Sequence, residues 1–151
     1  MPEVPSHGIR IRYDDQGQGE PAFLFMPGWC GSRRVFEELT RRCARWRRTL
    51  ALDWRGHGES ERPTEDFGAD DLADDALAVI EASRADRLVP VAPSHAGWVA
   101  IELCRRMGVR IPKLVLLDWI VLEAPPPFLA ALQALQDTAE WQQTREQLFS
   151  M

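Results

Sequence analysis

Four short apolar runs, each stopping at Pro, Ser or Asp, constrain this chain more than any other feature. They are "AFLFM" before Pro27, "TLAL" before Asp53, "LVPVA" before Pro93-Ser94 and "LVLL" before Asp118. Runs this short that are apolar at nearly every position suit strands covered on both faces, as in a parallel sheet. The segments between them carry helical periodicity. Strands alternating with helices predict an α/β fold, a mostly parallel sheet flanked by helices.

Ahead of these runs, "HGIRIRYDD" alternates apolar and polar residues from Ile9 to Tyr13 and enters the turn-rich "DDQGQGEP", which reads as a half-buried outer strand. Ser32 is placed to cap a helix with Val35, Phe36, Leu39 and Cys43 on its buried face. A second helix is expected from Asp66, where Asp66, Asp70 and Asp71 load the N-terminal end and Leu72, Ala73, Ala76, Leu77 and Ile80 share one face. "SHAGWVAIELCRRMG" reads as a third, ending near Gly108, and "KLVLLD" as another buried strand. Pro90 is awkward in a central strand, because it removes a ladder hydrogen bond. After Asp118 the rhythm changes: "EAPPPF" breaks the chain, and two amphipathic stretches follow, roughly 128–136 and 139–149.

The chain has 151 residues, enough for one domain with its own core. A net charge of -5 argues against a nucleic-acid footprint, and the basic run Arg41, Arg42, Arg45, Arg47 and Arg48 has the spacing of a solvated helix face. "MPEVPSHG" lacks a signal pattern and no window approaches the ~18 apolar residues of a membrane span, so a cytoplasmic location is expected. Cys30, Cys43 and Cys104 lack ligand or disulfide spacing, which predicts reduced thiols and no metal site. Trp46 and Trp141 read as core fillers.

In open α/β sheets ligands gather beyond the carboxyl ends of the strands. There the sequence places Pro27-Gly28-Trp29-Cys30, Asp53-Trp54-Arg55-Gly56-His57-Gly58, Ser94-His95 and Asp118-Trp119. Ser94 sits between a strand and a helix with Ala92 and Ala96 two places to either side, the small neighbours that a nucleophile elbow requires. The residues alone leave two readings open, an elbow serine or the cap of the helix that follows. Trp29, Trp54, Trp98 and Trp119 would supply flat apolar walls for an aromatic ligand.

Taken together, "FLFMPGW", "DWRGHGES", "VAPSHAGW" and "LVLLDW" resemble, in order and spacing, the α/β-hydrolase fold family from Ile9 to about Phe149. The resemblance implies that Ser94 is an elbow serine and that "DWRGHGES" is a turn-forming structural loop, His57 included. It also implies an α/β-hydrolase core over 1–122, with 123–151 beginning a helical cap. Within the superfamily, "MPGWC", "DWRGHG", "SHAGW" and "LLDW" look like the cofactor-independent 2,4-dioxygenases of 3-hydroxy-4-oxoquinolines and alkylquinolones. These open a heteroaromatic ring with dioxygen and expel carbon monoxide. Their acid follows the strand after the elbow helix, where Asp118 stands.

That resemblance implies Ser94 and Asp118 as catalytic residues, the backbone N–H groups of Trp29 and His95 as an anion pocket, and Trp29, Trp98 and Trp119 as substrate walls. It implies a small aromatic substrate and dioxygen, with no cofactor, nucleic acid or membrane partner. Gly31 and Pro93 depart from it, since some members carry histidines there. The expected histidine base is also missing, because the last histidine is His95, ahead of Asp118. The chain therefore looks like the N-terminal half of an enzyme whose isolated form would self-associate. A serine hydrolase acting on an ester or amide, and a non-catalytic binding or pseudo-enzyme fragment, stand as alternatives.

Overall fold

The computed structural model describes residues 2–118 together with 126, 127, 129, 130 and 133. The chain divides into two units, Met1–Trp119 and Ile120–Met151, and the first holds the sheet. It begins with a hairpin that the sequence pattern did not announce: β1 (Glu3–Ser6) pairs antiparallel with β2 (Ile9–Gln16). His7 and Gly8 make its two-residue turn with φ of 47° and 83°, the positive values a tight hairpin turn demands. His7 thus lies in the turn between two strands, and its side chain is at the surface.

The expected apolar runs become β3 (Ala22–Phe25), β4 (Thr49–Leu52), β5 (Leu88–Pro93) and β6 (Val115–Leu117). The strand order is β1-β2-β4-β3-β5-β6, with β3, β4, β5 and β6 parallel and β1 and β2 antiparallel. Residues alternate between the two faces. Leu24, Leu50, Leu52, Leu88 and Ala92 join one buried cluster, while Phe25, Ala51 and Val91 join another with Phe36. That two-sided burial is why these runs lack polar positions.

Pro90 lies in β5 without costing a ladder bond. The Val91 carbonyl accepts from Met26 of the β3 side, and the Ser94 N–H donates to Leu117 of the β6 side. Even-numbered positions of β5 therefore direct their backbone polar groups toward β6. Pairing with β6 starts only at Val91 opposite Val115, one residue past Pro90.

The helices are α1 (Glu37–Cys43), α2 (Ala69–Ser83) and α3 (Ala96–Met107). Several expectations need correction. A 3-10 turn, Arg33–Phe36, precedes α1, and Ser32 makes no side-chain cap bond. Val35 and Leu39 are exposed, leaving Phe36 and Thr40 as the buried positions, because the turn is anchored by the buried Arg33 instead of an apolar stripe. Trp46 is 79% exposed and fills no core. α2 begins at Ala69 because Gly68 is still extended, and the Asp71 carboxylate accepts the Gly68 N–H at 2.9 Å. β6 is a three-residue strand, the edge of the sheet among the described residues, half-buried with Leu117 exposed, not the buried strand expected. Trp119, Trp141 and the stretches 128–136 and 139–149 fall outside the described residues, apart from 129, 130 and 133. Among the described residues no helix is long and apolar enough to cross a membrane.

Candidate active site

β5 hands the chain to α3 through Ser94 and His95. Ser94 has φ +50°, a left-handed conformation costing a non-glycine residue ~1–3 kcal/mol, and it is exposed. The turn is closed at once: the Gly97 N–H donates to the Ser94 carbonyl and the Trp98 N–H to that of His95, both at 3.0 Å. Ala92 and Ala96 are fully buried on either side. Ser94 does not cap α3, since His95 holds the N-cap position and no side chain bonds there. The strand runs through Pro93, one residue past the apolar run, and the helix starts at Ala96, two residues into "SHAGW".

The segment after β3 lies against this turn. A methyl group placed on Gly28 would stand 3.6 Å from Ser94 Cβ and 3.7 Å from the Pro93 carbonyl oxygen. The next residues fold tightly, with Cys30 at φ +58° and the Gly31 N–H donating to the Gly28 carbonyl at 3.0 Å. Trp29 is half exposed. Asp118 reaches the same edge from β6, for Pro93 and Leu117 are in register and the Ser94 N–H donates to the Leu117 carbonyl. Asp118 is exposed and, like Ser94, has a positive φ, 47°.

The tryptophans separate into different roles. Trp98, 58% exposed, stands in the first turn of α3 instead of at a strand end, and Trp29 is open to solvent. Trp54 is only 1% exposed, so it is no wall for a ligand, and its indole N–H donates to the Pro27 carbonyl at 2.8 Å. Buried Trp keeps such a partner because an unpaired N–H in the core is costly.

"DWRGHGES" folds as a structural loop. Asp53, fully buried, accepts the Arg33 backbone N–H at 2.6 Å, the Glu59 N–H at 2.9 Å and the Arg33 guanidinium. Arg33 also reaches Asp14 and Glu59. Gly58, at φ +53°, packs so closely on Asp53 that any Cβ would overlap the carboxylate. Arg55 grips the buried Asp75 of α2 through two guanidinium bonds of 2.9 and 2.7 Å. The Ser60 hydroxyl donates to the Asp53 carbonyl at 2.7 Å, and His57 Nδ1 lies 3.0 Å from the Arg55 carbonyl. Sequence reasoning missed Arg33 and gave Trp54 to the ligand walls, because their partners lie 20 and 27 residues away.

His95 is half-buried, and its Nδ1 is buried with no hydrogen-bond partner among the described residues. Burial, and then the nearby His57, push its pKa below the usual imidazole range, so the ring is neutral at pH 7. All three cysteines are free, and no three His, Cys, Asp or Glu side chains among the described residues cluster as a metal site requires.

A family model for the alpha/beta hydrolase fold matches residues 21–149. The chain belongs to that family. Within it, the chain is 36% identical over 144 residues to a 2-heptyl-3-hydroxy-4(1H)-quinolone dioxygenase of Mycobacteroides abscessus, covering 94% of this chain and 54% of the relative. It is 32% identical to the 1H-3-hydroxy-4-oxoquinoline 2,4-dioxygenase of Pseudomonas putida, covering 99% and 57%. A solved structure described as the structural basis for recognition and ring-cleavage of the Pseudomonas quinolone signal by AqDC superposes with a TM-score of 0.92 at 34% identity, covering 99% of this chain and 57% of that one. The chain thus spans about half the length of the curated relatives it matches. In the alpha/beta hydrolase frame, Ser94 occupies the strand-to-helix turn, Gly28-Trp29 the loop facing it, and Asp118 the next strand end.

Proposed function

We propose that this chain carries the serine, acid and anion-pocket portion of a cofactor-independent dioxygenase that opens the ring of 3-hydroxy-4-quinolones. The observation that carries the reading is the placement of Asp118 one strand after the serine turn, tied to it by the bond from Ser94 to Leu117. In this reading the backbone N–H groups of Trp29 and His95 face the negative charge that develops on the substrate oxygen, where preorganised donors are worth several kcal/mol. The Ser94 hydroxyl hydrogen-bonds the substrate. Asp118 orients a histidine base that removes the ring hydroxyl proton; the electron-rich anion then takes up dioxygen, and two ring bonds break with loss of carbon monoxide.

Trp29, Trp98 and Trp119 would flank the flat substrate, and no metal or organic cofactor is called for. The chain would act in the cytoplasm, with residues 1–122 as core and 123–151 opening a helical cap. The histidine is the missing part, since none follows Asp118. A second reading, a serine hydrolase for an ester or amide, is favoured by the exposed Ser94 at φ +50°, a geometry that also suits a nucleophile.

Oxygen uptake and carbon monoxide release with 3-hydroxy-4(1H)-quinolone, in a form of the protein that supplies a histidine after Asp118, test the reading. Ser94→Ala should slow turnover without abolishing it. Complete loss of turnover, with a covalent Ser94 adduct formed from an ester, assigns the hydrolase instead.

A further inference from the structure

The anion pocket depends on the path of the chain between Pro27 and Arg33, and the residues that fix that path come from the end of β4. Trp54 donates its indole N–H to the Pro27 carbonyl at 2.8 Å in a fully buried contact. The neighbouring Asp53 accepts the Arg33 backbone N–H at 2.6 Å. Two consecutive residues therefore hold both ends of one short loop. Between the anchors the loop has little freedom: Gly28 lies against Ser94, and the Gly31 N–H closes back on the Gly28 carbonyl.

We infer that Trp54 is a positioning residue for the anion pocket: by anchoring the Pro27 carbonyl it sets the plane of the Pro27–Gly28 peptide and, through it, the direction of the Trp29 N–H. A peptide plane is rigid, so fixing the Pro27 carbonyl fixes the Gly28 N–H of the same unit; the Trp29 N–H lies in the next plane, whose Gly28 carbonyl is held by the Gly31 N–H, so the two bonds together set its direction. Released from Trp54, the Pro27 carbonyl would be a buried acceptor without its partner, and the loop would turn to find another. The link to substrate chemistry rests on the function proposed above; the link to the loop does not.

The test is Trp54→Phe, which keeps an aromatic ring in the core and deletes the donor. Val79→Ala, at a fully buried position of α2, serves as a control that lowers stability without touching the loop. The first readout needs no ligand: amide exchange and amide chemical shifts of Gly28 and Trp29 in the folded protein. These should change in Trp54→Phe, with exchange at Trp29 accelerated at least several-fold beyond any change in global opening, and remain as in wild type in Val79→Ala. The second readout is the pH at which bound 3-hydroxy-4(1H)-quinolone loses its ring hydroxyl proton, followed by absorbance. A misaimed donor stabilises the anion less, so this midpoint should rise by about one pH unit, a tenfold change in the ionisation constant.

Unchanged Gly28 and Trp29 amides in Trp54→Phe, or the same change in Val79→Ala, would overturn the inference whatever the ligand does. Altered amides with an unmoved midpoint would overturn the pocket role. If the amides change but wild type, in the form that supplies a histidine after Asp118, neither binds nor ionises the quinolone, the loop role stands and the proposed function falls.

Discussion

The main-chain N–H of Ser94 donates to the carbonyl oxygen of Leu117 at 3.0 Å, so the turn that presents the serine and the strand end that presents Asp118 are bonded directly. Neither residue touches the other in sequence. The bond extends the β5–β6 ladder by one step beyond Pro93 and Leu117, and it leaves both candidate residues just past the carboxyl edge of the sheet.

The serine turn stores strain, and releasing it should be measurable. A non-glycine residue in the left-handed region costs ~1–2 kcal/mol, while glycine costs ~0.5–1 kcal/mol in chain entropy. Ser94→Gly should therefore stabilise the fold by roughly 0.5–1 kcal/mol and reduce turnover. Denaturant midpoints decide this, and a destabilised variant would show that the hydroxyl contributes more to the fold than its backbone costs.

Asp75 is the fully buried partner of Arg55. Asp75→Asn leaves a guanidinium in the core with its charge uncompensated, which typically costs ~3–5 kcal/mol. The variant should unfold at much lower urea concentration than wild type. A loss below ~1 kcal/mol would mean that Asp71, which also contacts Arg55, suffices as counter-charge.

Gly58→Ala should be among the most damaging single-methyl additions in the chain. The residue is at φ +53°, and its new Cβ would collide with the Asp53 carboxylate that organises the loop between β4 and α2. Overpacking and lost buried hydrogen bonds together predict at least ~3 kcal/mol. Gly68→Ala, which meets open space, serves as the control in the same denaturation series.

Acid should weaken the fold in two windows. His95 has its pKa lowered by burial, so the unfolded chain takes up a proton first, and stability should fall as pH drops below about 6.5. Glu102, held by Arg105 and Arg106, is lowered from 4.5 to about 2. Its contribution is complete above the unfolded value of 4.5 and disappears as pH falls toward 2. His95→Asn should flatten the first window and Glu102→Gln the second, as read from denaturant midpoints across pH. If both variants keep the wild-type pH profile, other groups control acid stability.

Among the described residues nothing pairs with the outer side of β6, and Leu117 with Trp98 and Ile101 of α3 is exposed, which predicts self-association of the isolated chain. Leu117→Lys should shift light-scattering mass toward the monomer. Turnover of the quinolone by residues 1–151 alone should be very low, because no histidine follows Asp118 to act as base. A monomeric chain with full turnover would show that His57 or His95 serves instead.

Local pattern was enough for every strand but β1 and for placing the candidate site residues at strand ends. The unbroken apolar runs of β3, β4 and β5 reported burial on both faces, the small residues flanking Ser94 reported a crowded turn, and Asp118 stood at the end of its run; each signal lies within a few neighbouring residues. Tertiary structure decided what depends on partners far along the chain. Nothing local marks Trp54 as the anchor of Pro27 or Arg33 as the partner of Asp53, because those bonds close loops of 27 and 20 residues. Trp46, Val35 and Leu39 look like core by type and spacing, yet they are exposed because burial depends on which elements pack against them. Pro90 is tolerated for the same kind of reason: its missing donor would point toward β6 just below the place where that strand begins to pair.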